Sequence, residues 1–146
     1  MKVLIIDTVS YERAPYLKYY IEACNEQKID YDLFLWDRQS NGGLTNNKHI
    51  FTFHRRCDFG GGKIKKILPM LAYRKALLTR ISEGSYTHLI FINTLASVMI
   101  SGKAFSEFAG KYIMDIRDYT YESIGFYRNL VNKLVKISAF TTLSSQ

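Results

Sequence analysis

The chain has 146 residues, 47% of them hydrophobic, two cysteines and a formal net charge of +7. That length predicts one ordinary domain over residues 1–146, large enough to take roughly 70% of its unfolded surface out of water. Cys24 and Cys57 lie far apart and outside any C-x-x-C pair, which excludes an encoded zinc site or disulfide framework and predicts two reduced, structural thiols. The positive charge calls for an anionic partner without choosing among nucleic acid, phosphate, membrane headgroup and acidic glycan.

In chain order, KVLIID (2–7) is the first predicted strand, and no basic leader with an apolar core precedes it as a signal peptide would. A helix is predicted over 14–27. DLFLWD (32–37) reads as a nearly continuous apolar strand, and IFTFHR (50–55) as a weaker, alternating one. A second helix is predicted over 63–83, with Ile64, Ile67, Leu68, Leu71, Leu78 and Ile81 as one apolar stripe. Lys63, Lys65, Lys66, Arg74 and Arg80 lie mostly away from that stripe. Pro69 inside it is expected to kink or divide the helix.

HLIFIN (88–93) is the next strand, followed by a helix over 95–109, the strand KYIMDI (111–116), a helix over 123–137 and the strand AFTTL (139–143). His88 to Ile100 is the most apolar stretch, interrupted by Asn93, Thr94 and Ser97, and too short to span a bilayer. A cytoplasmic protein is expected, or one that touches membrane only from the side. Alternating strands and helices with crossovers of this length predict an α/β fold: a doubly wound, mainly parallel, Rossmann-like sheet. AFTTLSSQ ends as a strand where a loop and covering helix would ordinarily follow, so the 146 residues read as one half of a larger protein.

In doubly wound sheets a ligand sits beyond the carboxyl ends of the strands, where strand order reverses. If 88–93 opens the second half, the loops after Asp7, Asn93 and Ile116 share a rim, gathering Thr8, Asn93, Thr94, Asp115, Arg117, Asp118 and Glu122. The first of these loops, DTVSYERAPY, has no glycine with which backbone could approach a pyrophosphate, which argues against a nicotinamide or flavin cofactor. FGGGKIKK (59–66) does have glycines. Gly60, Gly61, Gly62 and Lys63 open a basic helix and either hold an anion at its positive end or form an ordinary flexible loop. It is not a P-loop, because neither Ser nor Thr follows the lysine.

The loop DIRDYTYES (115–123) concentrates the polar chemistry. Asp115 can accept loop amides or pair with Arg117, a planar cation suited to phosphate or carboxylate. Asp118 can accept from sugar hydroxyls, with Tyr119 and Tyr121 as flat faces. The structural alternative is that Asp118 and Glu122 cap the helix beginning near Ser123 while Arg117 sits in an internal ion pair.

This stretch resembles the D-x-R-D-x-W-P-E-S pattern in the N-terminal half of bacterial group 1 glycosyltransferases of the GT-B fold, which build capsular, exopolysaccharide and lipopolysaccharide chains. Asp115, Arg117, Asp118, Glu122 and Ser123 match it, while Thr120 and Tyr121 replace its Trp-Pro. The resemblance also takes in the KVLII opening strand, the strand before NTLAS and the strand ending in LSS.

It implies an acceptor-side, Rossmann-like domain of a hexosyltransferase that moves a sugar from a nucleotide-sugar donor to a growing, often lipid-linked glycan with retention at the anomeric carbon. The C-terminal donor domain would lie outside this chain. The resemblance implies no cofactor and no metal, and His49, His54 and His88 are scattered. The basic helix either faces solvent or gives peripheral contact with the inner face of a membrane. Two alternatives come from other classes, a receiver-like binding module and a basic nucleic-acid-binding domain, but no recognised nucleic-acid motif is present.

Overall fold

The computed structural model describes residues 1–58, 63–117, 121 and 123–144, with Lys63 and Ile64 described by backbone alone. Seven strands, β1 (Lys2–Ile6), β2 (Asp30–Asp37), β3 (Gly43–Asn47), β4 (Ile50–His54), β5 (His88–Ile92), β6 (Tyr112–Ile116) and β7 (Phe140–Leu143), form one sheet in the order β3-β4-β2-β1-β5-β6-β7. All pairings are parallel except the β3–β4 hairpin. Counted in chain order, the six parallel strands are arranged 3-2-1-4-5-6, the doubly wound Rossmann-like order, and the reversal falls between β1 and β5.

Side-chain alternation on the central strands builds two layers. Val3, Ile5, Leu33, Leu35, Ile90 and Ile92 pack with Leu17 and Cys24 of α1 (Leu17–Glu26). Leu4, Ile6, Phe34, Trp36, Leu89 and Phe91 point the other way. There they meet α2 (Lys63–Glu83), α3 (Thr94–Met99), α4 (Ser101–Ser106) and α5 (Gly125–Ile137). Cys24 and Cys57 are buried, unpaired thiols in opposite layers. α1 ends in a paired turn in which Ile29 N donates to Cys24 O at 2.8 Å and Lys28 N to Asn25 O at 3.2 Å. Lys28 takes the left-handed position with φ 53°, a place that glycine fills at lower cost.

Three sequence expectations need correction. The helix predicted over 95–109 is two, α3 and α4, parted at Ile100, whose φ −114° and ψ 24° are not helical. Ser101 and Gly102 directly follow, and both are weaker helix formers than the residues around them. Pro69 does not divide α2, which is one helix from Lys63 to Glu83.

The apolar stripe of α2 also does not face the core as a whole. Ile67, Leu68 and Leu71 are 51%, 69% and 55% exposed, Leu78 is half-buried, and of that set Ile81 is buried. The sheet instead receives a row one step round the helix: Pro69, Tyr73, Leu77 and Ile81, spaced four apart. The Tyr73 ring stacks on Trp36 at 4.8 Å between centroids and lies 5.5 Å from Phe34 and 5.9 Å from Phe53. An aromatic fitting among three aromatics buries more area and gains more ring contact than leucine in that place, and this sets the rotation of α2. β3, which the hydrophobic pattern does not reveal, is GLTNN at the sheet edge, exposed at every position.

Candidate functional site

β1, β5 and β6 lie side by side and deliver their carboxyl ends to one rim. Asp7 N donates to Phe34 O at 3.0 Å, extending the β1 register past the strand, and Asn93 N donates to Asp115 O at 2.9 Å, tying β5 to β6. Asp7, Asn93 and Asp115 are thereby brought together from positions 86 and 22 residues apart, Asp7 to Asn93 and Asn93 to Asp115.

The Asp7 carboxyl is fully buried. Its Oδ1 accepts from Thr8 N at 2.6 Å and Asn93 Nδ2 at 3.3 Å, and its Oδ2 from Tyr16 Oη at 2.8 Å. Tyr73 Oη donates to its backbone carbonyl at 3.0 Å. Burial pushes the carboxyl up to about 7, and the bonds from Tyr16, Thr8, Asn93 and the Val9 amide hold it from rising further. Asn93 takes φ 72° and ψ 155°, outside the conformations an L-residue prefers, at the point where strand order reverses. Its Oδ1 is buried with no hydrogen-bond partner among the described residues. Strain and an unsatisfied acceptor at one residue are typical of positions shaped for a ligand.

Asp115, 1% exposed, accepts from Tyr20 Oη at 2.6 Å, Arg117 Nε at 2.6 Å, Thr142 Oγ1 at 2.8 Å and Ser144 Oγ at 3.5 Å. The carboxylate therefore joins β6, β7 and α1. Arg117 keeps 26% of its side chain exposed, and its guanidinium lies 3.9 Å from the centroid of the Tyr16 ring. Burial works against its charge, but the hydrogen bond and field of Asp115 and the Tyr20 hydroxyl hold its pKa above the ordinary value. Tyr20 is pushed up to about 12 by burial and by Asp115, so it remains a neutral donor.

The result is a chain of contacts along the rim: Asp7 to the Tyr16 hydroxyl, the Tyr16 ring to Arg117, Arg117 to Asp115, and Asp115 to Tyr20. A cation held at its Nε edge by a carboxylate and on its face by an aromatic ring is preorganised, with little side-chain freedom left to lose when an anion arrives. Tyr16 and Tyr20 belong to no sequence-predicted set. Their signal was a Y-x-x-x-Y spacing at the start of the helix after β1, which puts two phenols on one face. Arg38, just past β2, was also missed. It packs 4.4 Å from the Trp36 ring centroid, where burial lowers its pKa against the opposing pull of neighbours that include Asp7.

Of the sequence-predicted residues, Asn93, Asp115 and Arg117 meet at this rim. Thr8 is buried beside Asp7 and contributes its amide. Thr94 is fully buried, with Oγ1 2.7 Å from the Tyr127 hydroxyl of α5. Asp118, Glu122, Gly60, Gly61 and Gly62 lie outside the described residues, and Lys63 is the first residue of α2.

Among the described residues no group of three or more His, Cys, Asp or Glu is placed to hold a metal ion, and no helix is long and apolar enough to cross a membrane. The histidines are separate: His49 contacts Asp32 at 3.1 Å, His54 contacts Asp37 at 3.0 Å, and His88 contacts Thr87 at 3.0 Å. Comparison with known protein families gives no match, and neither does comparison with curated proteins.

Proposed function

We propose that the chain is the N-terminal, acceptor-side half of a GT-B glycosyltransferase, acting in the cytoplasm to transfer a sugar from a nucleotide-sugar to a growing cell-surface polysaccharide or lipid-linked glycan. The observation that carries this reading is Arg117. In the motif that resembles the group 1 enzymes it stands next to the strand-order reversal, partly exposed, clamped between Asp115 and the Tyr16 ring.

In this reading Asp115 is a positioning residue that aims Arg117, and Arg117 receives a phosphate or carboxylate of the substrate. Asn93 offers its Oδ1 to a sugar hydroxyl, and Asp118 and Glu122 supply further acceptors. The nucleotide is held by a donor domain outside these residues. Leaving-group charge is met there by fixed cations and helix ends rather than by a metal.

The receiver-like alternative is disfavoured by strand order, since receiver domains arrange five parallel strands 2-1-3-4-5. Asp37, which such a site would need, is occupied by Ser40, the Gln39 amide and His54. The nucleic-acid alternative is disfavoured by aromatic burial, because Trp36, Tyr73, Tyr112, Phe34 and Phe91 are packed inside rather than offered as a stacking surface.

Titration of the isotope-labelled chain with a short-chain polyprenyl diphospho-sugar tests the reading. Amide shifts centred on Tyr16, Asn93 and Arg117 are expected, with affinity falling about tenfold or more in Arg117→Ala, which corresponds to about 1.4 kcal/mol. Shifts confined to other surfaces, or equal affinity in the variant, reject it.

A further inference from the structure

The outer side of α2 is built unlike a solvated helix face. Its sheet side is accounted for by Pro69, Tyr73, Leu77 and Ile81, yet Ile67, Leu68 and Leu71 project on the other side, each more than half exposed. Single exposed aliphatics are ordinary, but three within five residues make a patch. The charges around it have one sign. From Lys63 to Ser82 the helix carries Lys63, Lys65, Lys66, Arg74, Lys75 and Arg80, and its lone acid is Glu83 in the last turn. Lys65 and Lys75 flank the patch and are exposed. A groove of about 320 Å³ between α2 and the β3–β4 hairpin, lined in part by Leu44, Phe51, Ala72 and Ala76, carries apolar surface on from the same helix.

We infer that this face of α2 seats the protein on an anionic lipid bilayer, with Ile67, Leu68 and Leu71 entering the headgroup–acyl boundary and Lys65 and Lys75 meeting lipid phosphates. Aliphatic residues flanked by exposed lysines on an otherwise packed helix are what interfacial binding requires, with burial of about 5–10 Å. A second copy is the poorer occupant, because pairing the same face would set lysines against lysines in a chain already at +7. The inference stands apart from the transferase reading. It also fits the geometry of the rim: α2 leaves β4 at the carboxyl end of the sheet, three strand spacings from β5 in the order β4-β2-β1-β5. That is roughly 14 Å at about 4.8 Å per strand, with the first turns of α2 at the same end of the sheet as Asn93.

Sedimentation with phosphatidylcholine vesicles, with and without about a third phosphatidylglycerol, is the test. The wild-type chain is expected to bind the anionic vesicles at least about tenfold more than the neutral ones at low salt, with the preference shrinking as salt rises. Leu68→Ser/Leu71→Ser and Lys65→Glu/Lys75→Glu should each lower binding about tenfold while leaving the melting temperature unchanged, since all four positions are exposed. Because Cys24 and Cys57 are buried, a polarity-sensitive dye on Leu68→Cys labels the patch and should shift to the blue on anionic vesicles. Equal binding to neutral vesicles, unaltered binding in either double variant, or no dye shift overturns the inference. So does a dimer formed without lipid and dissolved by Leu68→Ser/Leu71→Ser, which would assign the patch to a second copy.

Discussion

Asp32 and Asp7 sit on adjacent strands at opposite ends of the sheet, 4% and 0% exposed, and their surroundings drive them in opposite directions. Burial would raise both. At the amino end, the Tyr86 hydroxyl at 2.6 Å, Arg80 at 2.7 Å, Lys2 at 3.1 Å and His49 at 3.1 Å overcome that penalty and bring Asp32 down to about 2. Gly84 makes room for this cluster, since a Cβ there would lie 2.0 Å from the Tyr86 ring. At the carboxyl end Asp7 has only neutral hydrogen-bond donors, and burial prevails. Where cations were placed beside the carboxylate, the acid became a fastener. Where no cation hydrogen-bonds to the carboxylate, the chain keeps a carboxyl that changes charge near neutrality, at the rim where ligands bind in this fold.

The largest expected effect breaks the fastener. Asp32→Ala strands Arg80, Lys2 and Tyr86 around an empty place and should cost about 3–5 kcal/mol in urea unfolding at pH 7. The linkage signs then separate the two acids. Asp32 has a depressed folded pKa, so its contribution is complete above its unfolded value near 3.8 and lost as pH falls through about 2. Asp7 has a raised folded pKa, so the folded state holds the proton more tightly and stability falls as pH climbs from about 4 to about 7.

Asp7→Asn should therefore flatten the decline between about pH 4 and about pH 7 and stabilise the protein at pH 8 by on the order of 2 kcal/mol. The acid limb below pH 4 should stay as it was. A variant that follows the wild-type curve across neutrality would place the buried proton elsewhere. The smallest change sharpens the comparison at one atom: Tyr16→Phe deletes the donor to Asp7 Oδ2 while keeping the ring under Arg117, and should cost about 1 kcal/mol. It should also move the Asp7 carboxyl higher still, read from its carbon chemical shift against pH. An unmoved midpoint would show that the phenol does not hold that carboxyl down.

Much of the architecture was legible along the chain because it is local. Nearly continuous apolar runs at 2–7, 32–37, 88–93 and 111–116 are the β1, β2, β5 and β6 cores, and Phe51 and Phe53 alternate inward in the weaker β4. Asn93, Asp115 and Arg117 could be placed on one rim because strand ends in a doubly wound sheet share a side. β3 was illegible because an exposed edge strand buries nothing and needs no hydrophobic period. Tyr16 and Tyr20 were illegible as site residues because their meaning lies in Asp7 and Asp115, partners 9 and 95 residues away.

The sequence by itself determined the six parallel strands, the reversal between the first strand and 88–93, and the excess of cations on α2, since periodicity, turn chemistry and charge are carried by neighbouring residues. Only the tertiary structure decided which side of α2 meets the sheet, which phenol meets which carboxyl, and which buried aspartate receives cations. Those outcomes depend on competition between packing and desolvation among groups far apart in the chain. Tyr73 displaced Ile67, Leu68 and Leu71 from the core because three aromatic rings were waiting opposite it.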